Sequence, residues 1–209
     1  MPRPPTLRTA EVFASLQGEG LRQGEATLFI RLAGCRLRCR FCDTRSAWSG
    51  GTFLSVEQLL ARLGRVKKAY PASWVCLTGG EPLEQDVREL ARALKKEGYK
   101  IQVETNGLFY QKLPVDWYTI SPKPGAYAVR REYRRLAREV KLVVTRELTF
   151  KALQKTRRDF PENVPILLQP QSMEKWSMAK GLNLLDRGLR AGLTNLRLSL
   201  QVHKVLGLP

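Results

Sequence analysis

Three cysteines, Cys35, Cys39 and Cys42, fall within a stretch of eight residues in a chain that has four cysteines in all. They lie in Gly34-Cys35-Arg36-Leu37-Arg38-Cys39-Arg40-Phe41-Cys42-Asp43-Thr44, a C-x3-C-x2-C spacing. A disulfide framework spreads its cysteines along a small secreted domain, so three crowded thiols read better as metal ligands. A closed electron-transfer cluster normally takes four cysteines, and a structural zinc site also takes four ligands. Here the fourth is missing locally. Cys76 sits in an apolar stretch, and the single histidine, His203, is far along the chain. An open coordination position is what a catalytic metal site requires, because a small molecule must complete it. The competing reading is a zinc ribbon closed by Cys76 or His203.

Other residues capable of chemistry recur just after short apolar segments. They are Thr78-Gly79-Gly80-Glu81-Pro82, Glu104-Thr105-Asn106-Gly107, Ser121-Pro122-Lys123-Pro124, Gln169-Pro170-Gln171-Ser172 and His203. Paired glycines let a ligand approach the backbone closely, although alone they also suit an ordinary strand–helix turn. A carboxylate such as Glu104 at a buried strand end needs a donor. That donor is either a bound ligand or an internal arginine.

The elements that must position these residues follow from periodicity. Residues 27–33, 74–77, 101–103, 117–120, 140–144, 166–168 and 196–200 read as strands. Residues 56–63 read as a helix opened by a Ser55–Gln58 capping box. A second helix carries Val87, Leu90, Ala91 and Leu94 on one stripe and stops at Gly98. Further helices are expected over 147–158 and 173–187. Strands alternating with helices imply α/β architecture with a mostly parallel sheet. In such sheets chemistry gathers at the C-terminal strand ends, which is where the polar residues fall. The segment 108–138 is less regular. A complete eight-stranded barrel usually needs about 250 residues, and this chain has 209. The expectation is an incomplete, open (β/α) barrel, a single domain over 1–209 with its cluster loop at 34–44.

Composition restricts the setting. A hydrophobic fraction of 43% supports a substantial core. No apolar run reaches the ~18–20 residues that span a bilayer. Met1-Pro2-Arg3-Pro4-Pro5 has no apolar stretch behind it, so it does not read as a secretory signal. A cytoplasmic location is expected. The balance of 36 Lys+Arg against 19 Asp+Glu gives +17. Arg130, Arg131, Arg134, Arg135, Arg138 and Lys141 would form a basic helical face at i, i+4 spacing. A solvated surface is preferred there over a nucleic-acid site, since no helix-turn-helix, zinc finger or aromatic platform accompanies it.

The cysteine motif resembles the signature of the radical S-adenosylmethionine superfamily. There, three cysteines hold a 4Fe–4S cluster whose fourth iron is chelated by S-adenosylmethionine. Phe41 matches the aromatic position that packs against the adenine, a role that suits an aromatic face. Gly79-Gly80-Glu81-Pro82 resembles the superfamily's second motif, whose backbone holds the methionyl amine. Leu16-Gln17-Gly18-Glu19-Gly20, Arg31-Leu32-Ala33-Gly34-Cys35, Cys42-Asp43-Thr44, Glu104-Thr105-Asn106-Gly107, Ser121-Pro122-Lys123 and Leu200-Gln201-Val202-His203-Lys204 are similar to the 7-carboxy-7-deazaguanine synthase family. The likeness covers nearly the whole chain. It lacks the longer insertion between the first two cysteines that some members carry.

The resemblance implies a radical ring contraction of 6-carboxy-5,6,7,8-tetrahydropterin to 7-carboxy-7-deazaguanine, with release of ammonia, on the path to queuosine and related deazapurines. It implies that Cys35, Cys39 and Cys42 hold the cluster and that Thr44 holds Mg²⁺. By the same likeness S-adenosylmethionine contacts Phe41, Asp43, Gly79, Gly80, Ser121, Pro122, Lys123, Gln169, Pro170, Gln171 and Ser172. The pterin contacts Leu16, Gln17, Gly18, Arg31, Thr78, Glu104 and His203. Pro209 matches the position whose terminal carboxylate reaches the substrate, and the apolar end Val205-Leu206-Gly207-Leu208-Pro209 is expected to dock. A flavodoxin or ferredoxin donor and a homodimer complete the expectation. The rivals are an activase for glycyl-radical enzymes and a basic metal-binding module for nucleic acid.

Overall fold

The structure, a computed structural model, describes residues 6–209. The reading of Met1–Pro5 lies outside the described residues. The chain divides into two compact units. One holds the residues up to Leu16 with Glu25–Thr105 and Phe109–Trp117; the other holds Gln17–Gly24, Asn106–Leu108 and Tyr118–Pro209.

The first unit contains β1 (Thr6–Leu16), β2 (Ala26–Leu32), β3 (Thr52–Ser55), α1 (Val56–Ala69), β4 (Trp74–Gly79), α2 (Arg88–Lys96) and β5 (Lys100–Thr105). Its strands lie in the order β3-β1-β2-β4-β5. β1 runs antiparallel to β2 and β3, whereas β2, β4 and β5 are parallel. Alternation along a strand sends neighbours to opposite faces, and here the two faces differ in chemistry. Leu28, Ile30, Val75, Leu77, Ile101 and Val103 share one face by register and are fully buried. Leu59 and Leu63 of α1 and Leu90 and Leu94 of α2 are fully buried with them. The other face carries Arg31, Thr78, Gln102 and Glu104.

α1 starts as the capping box requires. Gln58 N–H donates to Ser55 Oγ at 3.2 Å, and Ser55 N–H donates to Gln58 Oε1 at 2.9 Å. Sequence periodicity missed β1 and β3. A register shift between Thr9 and Glu11 breaks the alternation of β1, and β3 has only four residues.

The second unit contains β6 (Trp117–Ile120) from Tyr118 onward, α3 (Tyr133–Leu136), β7 (Ala137–Val144), α4 (Phe150–Asp159), β8 (Ile166–Pro170), α5 (Lys175–Arg190), β9 (Leu196–Leu198) and α6 (Val202–Val205). Its strands are parallel in the order β6-β7-β8-β9. Ile120, Val140, Leu142, Ile166 and Leu168 form its buried apolar face. Thr119, Glu139, Lys141 and Gln169 alternate with them onto the other face and are also buried.

The basic helix expected over 130–141 does not form. α3 is one turn, and Ala137 opens β7. Val140, Leu142 and Val144 give that stretch strand alternation, which leaves Lys141 only 5% exposed. No helix among the described residues is long and apolar enough to cross a membrane.

Candidate active site

The cysteine loop hangs between β2 and a 3-10 turn at Arg45–Trp48. Gly34 enters it with φ of 109°, a left-handed backbone that favours glycine. Gly34 N–H donates to Ala47 O at 2.8 Å, and Cys42 N–H donates to Cys39 O at 3.0 Å. Cys35, Cys39 and Cys42 are free thiols of intermediate exposure, while Cys76 is free and buried in β4. Burial pushes the Cys35 thiol above its ordinary range, against opposing backbone hydrogen bonds from Leu37 and Arg38. A metal therefore has to displace that proton as it binds.

The turn after β4 is stitched to this loop by main-chain hydrogen bonds, and Arg36 N–H adds a bond to the Glu84 carboxylate at 3.1 Å. Gly80 N–H donates to Leu32 O at 2.9 Å, and Glu81 N–H donates to Gly34 O at 2.8 Å. A Cβ at position 80 would lie 2.1 Å from Gly34 O, and one at position 79 would lie 2.0 Å from Leu32 O. Gly79 and Gly80 are thus required by close approach. Glu81 is 1% exposed and binds within the protein: its Oε1 accepts from Leu83 N–H at 3.1 Å and the Thr105 hydroxyl at 2.7 Å. Gln85 braces the same region, donating to Arg8 O at 2.9 Å and to Ala33 O at 3.0 Å. The roles of Glu81 and Gln85 escaped the sequence reading, because Thr105, Arg8 and Ala33 are distant from them in the chain.

Arg31, Thr78 and Glu104 form a row across β2, β4 and β5. Arg31 pairs with Thr78 in register, and the β4–β5 register continued by one residue reaches Glu104. Arg31 Nε binds Glu11 Oε1 at 2.5 Å, and its guanidinium lies over Phe13 at 5.2 Å. The Nη edge of its fork can still take a carboxylate. Glu104 Oε1 accepts from Gln102 Nε2 at 3.5 Å, with Cys76 Sγ at 3.9 Å. A base, a cation and a hydroxyl are therefore aligned on one polar sheet face. Asp43 and Thr44 follow the last cysteine, and the Thr44 hydroxyl lies 3.3 Å from Asp43 Oδ1. Leu16 ends β1, and Phe41 sits half-buried on the loop.

The second unit gathers the remaining candidates. Gln17 is buried, and its Oε1 accepts from Glu19 N–H at 3.1 Å. Gly18 O accepts from Val202 N–H at 2.9 Å. A Cβ on Gly18 would meet His203 Nδ1 at 2.0 Å, so the imidazole packs directly on this glycine. Lys123 Nζ donates to Ser121 Oγ at 2.6 Å beside the buried Pro122. Gln169 is 4% exposed, and its Oε1 is buried without a hydrogen-bond partner. Such an oxygen is a natural acceptor for a ligand amine. Pro170 ends β8, Gln171 N–H donates to Ser177 Oγ at 2.8 Å, and Ser172 has φ of 47°.

The side chains of the apolar end are not buried. Val205, Leu206 and Leu208 are exposed, as is Pro209. α6 is a single turn closed by its own backbone, with Leu208 N–H on His203 O at 2.8 Å and Gly207 N–H on Lys204 O at 3.4 Å. This is a Schellman cap with Gly207 in the left-handed region. The tail is held by main-chain bonds, so its side chains need not be buried.

These residues fit an iron–sulfur cluster carried by three thiolates. The thiols are half-exposed on one loop, a glycine turn lies bonded against that loop, and the buried Cys76 belongs to another environment beside Glu104.

Comparison with known proteins agrees. The Radical SAM superfamily model matches residues 29–175. The 7-carboxy-7-deazaguanine synthase of Methanospirillum hungatei is 36% identical over 97% of this chain and 86% of its own length. That of Escherichia coli is 33% identical over 95% and 97%. The crystal structure of QueE from Escherichia coli superposes with a TM-score of 0.77 at 31% identity, covering 94% of each chain. Streptococcus suis SuiB bound to S-adenosylmethionine shares the fold alone, with a TM-score of 0.56 at 15% identity over 79% of this chain and 48% of that one. The expected α/β fold of mostly parallel strands is thereby established, and neither the activase nor the nucleic-acid module is favoured. By the family match and by relatives aligned along almost its whole length, the chain belongs to the 7-carboxy-7-deazaguanine synthase family of the radical S-adenosylmethionine superfamily.

Proposed function

We propose that this chain converts 6-carboxy-5,6,7,8-tetrahydropterin to 7-carboxy-7-deazaguanine with release of ammonia, as a step toward queuosine or a related deazapurine. Family membership supports the reaction. The observation that carries the substrate class is the row Arg31–Thr78–Glu104, which offers a fork for a carboxylate and an acceptor for a guanidine-like ring edge on one sheet face.

When bound, the 4Fe–4S cluster and S-adenosylmethionine supply reversible hydrogen-atom abstraction. The chain's own residues bind and orient. Cys35, Cys39 and Cys42 hold the cluster. Phe41 and Asp43, the backbone of Gly79 and Gly80, the Ser121–Lys123 turn and the Gln169–Ser172 segment hold S-adenosylmethionine. The Arg31 Nη groups take the pterin carboxylate, and Glu104 accepts from its amine and ring N–H. Thr78 contacts it from the adjacent strand. Gln17, the backbone of Leu16 and Gly18, and His203 contact the pterin as well. Thr44 gives its hydroxyl to Mg²⁺, a hard cation that keeps most of its waters.

The finer setting follows the same reading. The enzyme works as a homodimer in the cytoplasm, where thiols stay reduced. A flavodoxin or ferredoxin delivers the electron. Arg36, Arg38, Arg40 and Arg45 are exposed around the three cysteines and would steer an acidic donor.

The deciding assay uses anaerobically reconstituted, reduced protein with S-adenosylmethionine, Mg²⁺ and 6-carboxytetrahydropterin. Mass spectrometry should find 7-carboxy-7-deazaguanine over many turnovers without net loss of S-adenosylmethionine. Cleavage of S-adenosylmethionine with no deazaguanine formed would sink the substrate assignment.

A further inference from the structure

In the loop Gln17–Gly24, Glu19 makes a largely buried ion pair with β7 and a hydrogen bond to the C-terminal tail, and the roles above leave both unused. Lys141 projects from the polar face of β7 and pairs with Glu19 Oε2, their side chains being 7% and 15% exposed. The other oxygen of Glu19 accepts from Gln201 Nε2 at 2.6 Å. One carboxylate thus ties together three segments far apart in sequence.

Neighbouring contacts repeat the pattern. Glu139 is fully buried, accepts Leu21 N–H at 2.6 Å on Oε2 and accepts the Thr119 hydroxyl at 2.6 Å on Oε1. A Cβ at Gly20 would lie 2.3 Å from that same Oε1, so glycine lets the loop come this close to β7. Gly20 N–H reaches Ser199 Oγ at 3.3 Å, and Gln23 Nε2 reaches Leu200 O at 2.9 Å.

A buried ion pair is a poor source of stability, because desolvation offsets its attraction; apolar residues of similar volume often serve as well or better. What it does supply is a directional, uniquely satisfied geometry. That geometry matters at this place. Gln17 and Gly18 immediately precede Glu19, and His203, which packs on Gly18, follows Gln201 by two residues.

We propose that Glu19, fixed by Lys141 and bonded to Gln201, is a positioning residue that sets Gln17, Gly18 and His203 in one geometry for the pterin. The proposal rests on the reading that those three residues contact the substrate.

The test compares wild type with Glu19→Gln and with the double variant Glu19→Gln/Lys141→Met, all as cluster-loaded enzyme. The single variant removes the Glu19 charge beside the buried Lys141 ammonium and should lose thermal stability. The double variant removes both charges and should recover it. If the pair positions the site, that recovered protein still shows a KM for 6-carboxytetrahydropterin raised about tenfold or more, with kcat changed much less. Its cluster absorbance and its S-adenosylmethionine affinity stay at the wild-type level. Amide hydrogen exchange should accelerate together in residues 17–24 and 199–206. A stable double variant with wild-type KM overturns the proposal, as does faster exchange in only one of the two segments. Coupled exchange in a protein whose wild type does not turn over the pterin would instead refute the substrate reading and leave the coupling standing.

Discussion

A methyl group at position 80 would lie 2.1 Å from the carbonyl oxygen of Gly34. Neither can swing away, because the methyl is fixed to its Cα and the oxygen belongs to the main chain. Gly80→Ala must therefore pull the turn off the cysteine loop. We expect S-adenosylmethionine affinity to fall by about tenfold or more, read by equilibrium dialysis against the reconstituted protein. The cysteines separate cleanly by environment. Cys35→Ser should abolish the iron–sulfur absorbance, whereas Cys76→Ser, at a fully buried strand position, should keep it. Loss of iron from the Cys76 variant at unchanged thermal stability would point to a fourth protein ligand. The cysteine motif and Gly79–Gly80 were legible in the sequence because each function resides in contiguous residues. Glu81 was quoted for its motif, but its work on Leu83 and Thr105 became visible only when β5 was placed beside the turn.

Elements carry their own predictions. Arg157, in the last turn of α4, is 6% exposed and donates to backbone carbonyls of Val164 at 2.8 Å, Phe160 at 3.1 Å and Thr194 at 3.4 Å, and also to Pro161. It stitches α4 to the segments leading into β8 and β9. Arg157→Met would leave those carbonyls without their charged donor. Stability should fall by about 3 kcal/mol, measured by urea unfolding of the apoprotein. Asp86 is a milder case at the start of α2. The Arg88 side chain and then the Arg88 N–H hold its carboxyl down to about 2. A lowered folded-state pKa gives stability that is present above the unfolded value of about 3.9 and is lost as pH falls through the folded one. Asp86 is more than half exposed, so solvent screening keeps its contribution below about 1 kcal/mol. Asp86→Asn should thus be slightly less stable than wild type at pH 7, and the gap should close progressively below about pH 4. Most strands and helices were legible from periodicity and caps. β1 was not, because its bulge interrupts the alternation, and residues 130–141 misled because arginines every few positions imitate a helical face.

For the molecule as a whole, the proposed electron donor gives the +17 charge a testable role. Arg36, Arg38, Arg40 and Arg45 are exposed on the loop that carries the cysteines. Replacing all four by glutamine should slow reduction by an acidic flavodoxin about tenfold at low salt and much less at high salt. Stopped-flow rates across an ionic-strength series would show it. A rate indifferent to both salt and substitution would remove the arginines from that role. Sedimentation velocity on the cluster-loaded protein should give the mass of a dimer; a monomer at working concentration would remove the homodimer from the reading.

The sequence by itself marked the three crowded cysteines, the glycine turn and the alternation of strands and helices, since each depends on neighbours in the chain. It also placed Glu104, Gln169 and His203 at strand ends or in the tail. Tertiary structure alone decided which polar residues share a sheet face and which segments they join. Arg31, Thr78 and Glu104 become one row only through the register of three parallel strands. Lys141 passes from a supposed surface charge to the buried partner of Glu19 only because β7 turns it inward. Periodicity along one segment records that a face exists, but the identity of what lies opposite comes from residues dozens to more than a hundred positions away.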